Sequence, residues 1–419
     1  MNVVSKTSAF PATVQPGLPH LGDVPNGWCR EPIGKHLKEI RRPVSMTDAE
    51  VFQLVTAKRA RGGIVPRERL MGREISVKSQ FWIKEGDFLI SKRQIVHGAC
   101  GLVPRELDGA IVSNEYGVLR ACPSIEPRFL SYLSNSIYFQ QTCFHSAIGV
   151  HIEKMIFKLD KWLKWKFDLP PLPEQKKIAE ILSTWDSAIE TTEKLLANAE
   201  VQKRALMQQL LTGKRRLKGS EGGKWRPFRL DELAQINPRT ERTSGNNVTF
   251  LPMEAVSNSG QILARQERNV ADLGSGYTVF SEGDILVAKI TPCFENGKGC
   301  HATDLPTGMG VGSTEFHVLR ARKRSDQRLL FHIVNSYEFR KRGEANMTGS
   351  AGQRRVPADY IKQFTLSLPE DGSVREMIGG VLDDAAMIET NLAIDVDRLK
   401  AEKLALMQQL LTGKRRVKE

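Results

Sequence analysis

The chain has 419 residues, and at ~150 residues per domain this excludes a single small module and leaves room for two or three separate cores. Hydrophobic residues are 40% and charged residues 26%, with 34 Gly and 20 Pro, which excludes collagen-like, disordered and disulfide-scaffold classes. Against 48 Asp and Glu stand 61 Lys and Arg, a formal charge of +13, so an extended polyanion such as nucleic acid is the expected partner.

The tail 1–22 carries Lys6, Pro11, Pro16 and Pro19 but no apolar signal region, and the six cysteines form no CxxC pair, which points to reduced thiols in a cytoplasmic protein. No run of eighteen apolar residues offers a membrane span. Residues 23–170 mix short apolar runs with Gly, Asn and Pro, the pattern of strands, turns and a few helices. A helix is expected over 171–216, a linker over 217–224, a second mixed domain over 225–369 and a second helix over 370–419.

This order reflects a repeat. The string Ala205-Leu-Met-Gln-Gln-Leu-Leu-Thr-Gly-Lys-Arg-Arg216 recurs letter for letter at 405–416, an offset of 200. The same offset carries Ser113, Glu115, Tyr116, Val118, Leu119 and Arg120 onto Ser313, Glu315, Phe316, Val318, Leu319 and Arg320. Upstream the offset is 197, matching Trp28 to Trp225 and Glu85-Gly-Asp87 to Glu282-Gly-Asp284.

Each helix is expected to open after a Leu-Pro-Glu, at Leu172-Pro173-Glu174 and Leu368-Pro369-Glu370. In the first, Ile178, Leu182, Trp185, Ile189, Thr192, Leu196, Ala199, Lys203, Leu206 and Leu210 step by 4 and 3, a coiled-coil seam. In the second, Ile378, Val381, Ala385, Ile388, Leu392, Val396, Leu399, Lys403, Leu406 and Leu410 do the same with one 4-4 step. Gly213 and Gly413 suit left-handed caps, and the Lys-Arg-Arg clusters after them complement the helix ends. The expected architecture is two α/β (α+β) domains separated by two long antiparallel coiled-coil helices, a pseudo-twofold dumbbell. Lys203 and Lys403 either enforce seam register or snorkel to its edge.

Catalytic motifs are scarce. The glycine string Thr307-Gly-Met-Gly-Val-Gly312 lacks the downstream acid of a dinucleotide loop and reads as turn glycines. Cys293, Cys300 and His301 lack a fourth ligand at metal spacing, so no metal or cofactor is expected in this chain. Asp87 and Asp284 stand near Lys92 and Lys289 but lack the second acid of a nuclease cluster.

Binding features are richer. Lys58, Arg59, Arg61, Arg67 and Arg69 form a basic stretch in the first domain, and Arg239, Arg242, Asn246 and Asn247 hold the comparable place in the second. Ser350, Gln353, Arg354 and Arg355 lie in a glycine-rich loop, and Lys92 and Lys289 complete the candidates. Arg suits phosphate and guanine, and Asn or Gln suits adenine. The first domain departs at that loop, reading Ser146-Ala-Ile-Gly-Val-His151.

Two variable domains, each opened by a Trp and closed by a near-duplicated helix, together with Leu169-Pro-Pro-Leu-Pro-Glu-Gln-Lys-Lys-Ile-Ala179, resemble the DNA specificity subunit of bacterial type I restriction-modification enzymes. The resemblance implies two target recognition domains reading the halves of a split site in double-stranded DNA. It also implies helices that space the domains and dock two methyltransferase subunits, and restriction subunits through the complex. S-adenosylmethionine would then belong to the methyltransferase subunits, and ATP and Mg to the restriction subunits. The second copy departs at Asp371-Gly-Ser-Val374, where the first has Gln175-Lys-Lys, which places one docking edge in doubt. The rival readings are a stand-alone DNA methyltransferase or nuclease, and a nonspecific DNA-binding coiled-coil scaffold.

From Glu174 to Thr212 the first helix would run roughly 58 Å at ~1.5 Å per residue. Inserting one heptad at matching places in both helices keeps the 4,3 seam and adds about 10.5 Å, roughly 3 base pairs at ~3.4 Å each. Selection from a randomised-gap DNA library is expected to return a gap longer by that amount with both half-sites unchanged. Recovery of the original gap by a folded variant would exclude helices as the spacer.

Overall fold

A computed structural model describes residues 11–241, 247–274, 276–350 and 352–417. The chain forms two units, one of residues 1–191 with 396–419, the other of 192–395. Both are mixed α/β, and they repeat one topology. The first holds a four-stranded antiparallel sheet in the order Leu37–Glu39, Tyr116–Ala121, Phe88–Ser91, Cys100–Leu102. The second has Ala234–Ile236, Phe316–Ala321, Ile285–Ala288, Gly299–His301 in the same order. A second four-stranded sheet in each contains one parallel pair, through Val51–Ala57 and Ile111–Ser113 in the first unit and Asn247–Leu251 and Met309–Gly312 in the second. Ion pairs repeat too: Asp87, fully buried, takes Arg120 Nε at 2.8 Å, and Asp284 takes Arg320 Nε at 2.8 Å.

Residues 11–22 are less of a free tail than their prolines imply. Val14 is buried, Thr13 Oγ1 lies 3.2 Å from His97 Nδ1, and the Gly17 carbonyl lies 3.2 Å from His145 Nε2.

The long helices are Leu172–Leu211 and Gly372–Leu411. The first starts earlier than the Leu-Pro-Glu reading has it, because Pro173 sits in the first turn, where its missing N–H breaks no helical bond. The strand-ending proline is Pro170, the counterpart of Pro369, since Leu169 pairs with Cys29 as Leu368 pairs with Arg226. At the offset of 200 that aligns the two helices, Gln175 corresponds to Arg375, which stands one residue further from Pro369 than Gln175 does from Pro170, and each is buried at the helix start. Gln175 Nε2 donates to the Pro170 carbonyl at 2.9 Å, and its Oε1 accepts from Glu126 N–H at 2.9 Å. Arg375 Nη1 donates to the Pro369 carbonyl at 2.7 Å, and its Nε donates to Asp326 at 2.6 Å. The second copy departs here by one added residue and by different side chains, and the anchor to the strand-ending proline is built from an amide in one unit and an ion pair in the other.

Each long helix serves both units. In the first unit Met407, Leu410 and Leu411 pack into the core with Trp28, Ile178, Leu182 and Phe139. In the second, Met207, Leu210 and Leu211 pack with Phe228, Ile378 and Leu382. Each core is therefore closed by the end of the helix that begins in the other unit. The caps are as expected: Gly213 has φ 69° and faces Trp225, and Gly413 has φ 67° and faces Pro25 and Trp28.

The first seam holds, with all ten positions buried or half-buried. The second does not pass through Ile388, which is 56% exposed. Its 4,3 register runs instead through Leu382, fully buried, and Glu389, whose carboxylate receives Lys203 Nζ at 2.9 Å. An ion pair at the interface replaced an apolar residue, and the apolar pattern slipped by one to Val381 and Ile388. Leu392, Val396, Leu399, Lys403, Leu406 and Leu410 stay on the seam, buried or half-buried. In the first unit Ile189 takes the place of Glu389, so Lys403 pairs with Asp186 one turn earlier.

Arg416 closes the first unit. Its guanidinium donates to Glu174 through Nε and Nη2, both at 2.8 Å, while Trp28 Nε1 donates to the same carboxylate at 3.1 Å. Burial works to raise the Glu174 pKa, but the bonds from Arg416 and Trp28 outweigh it and hold the carboxyl below its ordinary 4.5. A depressed carboxyl stabilises the fold above about pH 4.5 and loses that contribution as the pH falls through the lower folded value. Glu174→Gln is expected to flatten the melting profile of the first unit below that pH. Leu410→Ala, although near the end of the chain, is expected to destabilise the first unit by about 2–5 kcal/mol, and Leu210→Ala the second. Hydrogen exchange mapped along the chain checks both, and faster exchange in the unit opposite to the one named would contradict this division.

Candidate nucleic-acid interface

The Glu-Gly-Asp turns are structural clamps. Asp87 accepts from Lys84 N–H at 2.8 Å and from Arg42 at 2.7 Å, in addition to Arg120. Asp284 accepts from Ser281 N–H at 2.7 Å and from Arg320. Neither carboxylate is left facing a lysine, because arginine already saturates it. Lys92 Nζ donates to the Asn114 carbonyl at 2.9 Å. Lys289 instead lines a surface cleft with Asn237, Thr240 and Thr278.

In the first unit, 58–63 form the turn between Val51–Ala57 and Ile64–Met71. Lys58, Arg67 and Arg69 are exposed. Arg67 pairs with Glu68 at 2.6 Å. Arg59 donates to Glu153 at 2.7 Å, which holds that carboxyl below its usual range. This ion pair ties the turn to the loop 149–155. Arg61, within the basic stretch, is half-buried at φ 61°, and its guanidinium lies against the Asn135 carbonyl at 3.4 Å. The sequence listed these arginines but not Glu153, whose role depends on a fold contact across 94 residues.

In the second unit Arg239 and Asn247 are exposed, while Arg242 and Asn246 lie outside the described residues. Ser350 and Gln353 are exposed at the loop tip, joined by a Gln353 N–H to Ser350 carbonyl bond of 3.0 Å. Arg354 is half-exposed and 3.8 Å from Glu295. Arg355 is engaged by Glu315, with Nη2 donating at 2.8 Å and Nε at 3.0 Å, so its role in this structure is to anchor the loop. The hydrogen bond from Arg355 holds the Glu315 carboxyl low. In the first unit the equivalent Glu115 takes Arg93 at 2.6 Å. Conserving the glutamate in both repeats was the available signal, but its partner comes from a different element each time.

Beneath the second loop, His317 lies within hydrogen-bond distance of the Val356 carbonyl through Nε2, at 2.9 Å, and of Asn237 Nδ2 through Nδ1, at 3.1 Å. Burial lowers its pKa and favours the neutral ring, in which one nitrogen donates and the other accepts. The loop root is thereby fixed to the strand Phe316–Ala321.

The glycine string is not a set of turn glycines. Gly308 alone of the three has positive φ, while Gly310 and Gly312 lie in a strand packed on Phe280, with no room for a Cβ at Gly310. Among the described residues no group of three or more His, Cys, Asp or Glu is placed to hold a metal ion. Burial pushes the Cys300 thiol up to about 12 and lowers His301. No described helix is long and apolar enough to cross a membrane.

Residues 64–201 match the type I restriction modification DNA specificity domain. The EcoEI specificity subunit of Escherichia coli is 34% identical over 215 residues, which cover 50% of this chain and 35% of that one, so the chain spans about a third of that relative's length. The MjaVIII specificity subunit of Methanocaldococcus jannaschii is 25% identical over 94% of both chains. The crystal structure of a type I restriction-modification S subunit from M. genitalium shares the fold, with a TM-score of 0.58 at 10% identity over 94% of this chain and 99% of that one. Over these segments the chain is similar to type I restriction-modification DNA specificity subunits, and it shares the fold of the M. genitalium S subunit along nearly its whole length.

Proposed function

We propose that this chain selects the DNA site for a type I restriction-modification complex, with one half-site read by each unit. The observation that carries the reading is a duplicated framework with different loops. The Asp87–Arg120 and Asp284–Arg320 clamps, the Trp-faced helix caps and the sheet order repeat, while the loops at 58–63, 146–155 and 348–355 present different side chains. A formal charge of +13 supplies the phosphate attraction, and exposed Lys58, Arg69, Arg239 and Gln353 are placed to reach bases or backbone, as are Arg67 and half-exposed Arg354 on exchanging Glu68 and Glu295 for DNA.

The chain itself is non-catalytic in this proposal. Two methyltransferase subunits bring S-adenosylmethionine to the long helices, restriction subunits bring ATP and Mg, and the assembly works in the cytoplasm. Purified chain alone is expected to transfer no methyl groups and cut no DNA. Such activity, abolished by mutating this chain, would replace the proposal with the stand-alone enzyme. Binding without sequence preference at raised salt would replace it with the scaffold.

Exchanging residues 225–369 for the matching domain of a relative is expected to change one half of the methylated motif and leave the other intact. Methylome mapping reads the result, and a change in both halves would refute independent reading. Arg354→Gln is expected to cost about 1–3 kcal/mol with relaxed specificity at one base pair. Arg355→Gln is expected to weaken the whole second half-site by releasing the loop from Glu315.

A further inference from the structure

The first unit carries an apolar projection that the DNA-binding candidates do not include. Ala147–Ile148 and Ile156–Phe157 form a short antiparallel ribbon, with Ile148 opposite Ile156. Its root is fixed: Phe157 and Met155 are buried, and Lys158 N–H donates to the Ser146 carbonyl at 2.9 Å. Its tip is fixed as well. Gly149 has φ 151°, and a Cβ there would lie 3.0 Å from Met155 Cα, so the two sides close on each other. From this closed tip project Val150, 96% exposed, and Ile148, 50% exposed.

The second unit has a glycine at the corresponding point of a loop one residue shorter, bridged at Thr348 and Arg355. Gly349 has φ 119°, and a Cβ there would meet the Gln353 carbonyl at 2.9 Å. The next residue is exposed Ser350, as Val150 follows Gly149. The same loop as Val150 carries exposed Lys154, and Arg59–Glu153 joins it to the turn that carries exposed Lys58. Closed at its tip, apolar at its point and carrying basic residues in its loop and the turn joined to it, this ribbon fits the DNA major groove, which admits a two-stranded ribbon and presents one apolar group on a base edge, the thymine C5-methyl.

We propose that the 147–157 ribbon enters the major groove of the half-site read by the first unit, and that Val150 packs on a thymine methyl there. The inference rests on the DNA-reading function proposed above. In the second unit Ser350 presents a hydroxyl after the corresponding glycine, on a shorter loop, so the two half-sites are discriminated by different chemistry.

The test uses the full chain assembled with its methyltransferase partners, on the motif identified by methylome mapping. Each thymine of the first half-site is replaced in turn by deoxyuridine, which lacks only the methyl. One replacement is expected to weaken binding about four-fold, the factor associated with one buried methyl group. Val150→Ser should weaken the thymine site by a similar factor and become indifferent to that deoxyuridine, with its melting temperature and assembly unchanged. A deoxyuridine effect of equal size in both proteins, or none at any position of a site the wild type still selects, overturns the contact while leaving the DNA-reading function intact. So does a first half-site without an A·T pair, or a variant that loses methyltransferase association in place of DNA affinity. If the wild-type complex shows no preference among DNA sequences, the functional proposal fails and the contact with it.

Discussion

Neither domain can complete its own hydrophobic core. Leu410 and Leu411 fill the wall between Trp28, Ile178 and Leu182, and Leu210 and Leu211 do the same between Phe228, Ile378 and Leu382. Burial of a leucine contributes about 1.5–3 kcal/mol, which is large against the 5–15 kcal/mol by which a domain is stable. The same pocket occurs twice, so the same knob must be supplied twice. That requirement accounts for the repeat of Leu206, Met207, Leu210 and Leu211 at 406, 407, 410 and 411, while the domains between them diverge.

Polar contacts add register to this hydrophobic closure. Lys203 and Lys403 hold equivalent helix positions yet pair with Glu389 and Asp186, one turn apart in the repeat frame. Both lysines are about 20% exposed, so the pairs are neither fully buried nor freely solvated. Their geometric role is to penalise a slipped seam, because a displaced lysine would meet apolar residues. Tyr132 extends the Lys403–Asp186 pair into its domain, its hydroxyl donating to Asp186 at 2.6 Å, and at the equivalent position His332 Nε2 meets Asp383 at 2.8 Å.

The repeat, the mixed domains, the long helices and their caps were legible in the sequence because each is written in local periodicity or in self-similarity. The seam misread at Ile388 shows the limit of apolar pattern alone: Glu389 belongs to the interface only because Lys203 reaches it from another helix. The candidate site was legible in composition and less so in geometry. Arginines could be counted, but whether one is free depends on carboxylates distant in the chain, as Glu315 is for Arg355 and Glu153 for Arg59. Val150 went unmarked for the opposite reason. A valine beside a glycine reads as ordinary strand sequence until the fold leaves it in water.

Closure of the first core by residues 407–411 also sets an order on synthesis. The first domain leaves the ribosome first, yet its wall emerges after the whole of the second domain, on the order of 10–40 s later at ~5–20 residues per second. The second unit, residues 192–395, has all of its members before that point. The first-made domain is therefore the last to be finished, and until then Ile178 and Leu182 remain an open apolar face on the nascent chain. A ribosome that stops before residue 407 releases a chain with one closed unit and one exposed core, a species marked for chaperones and proteases by that exposed surface.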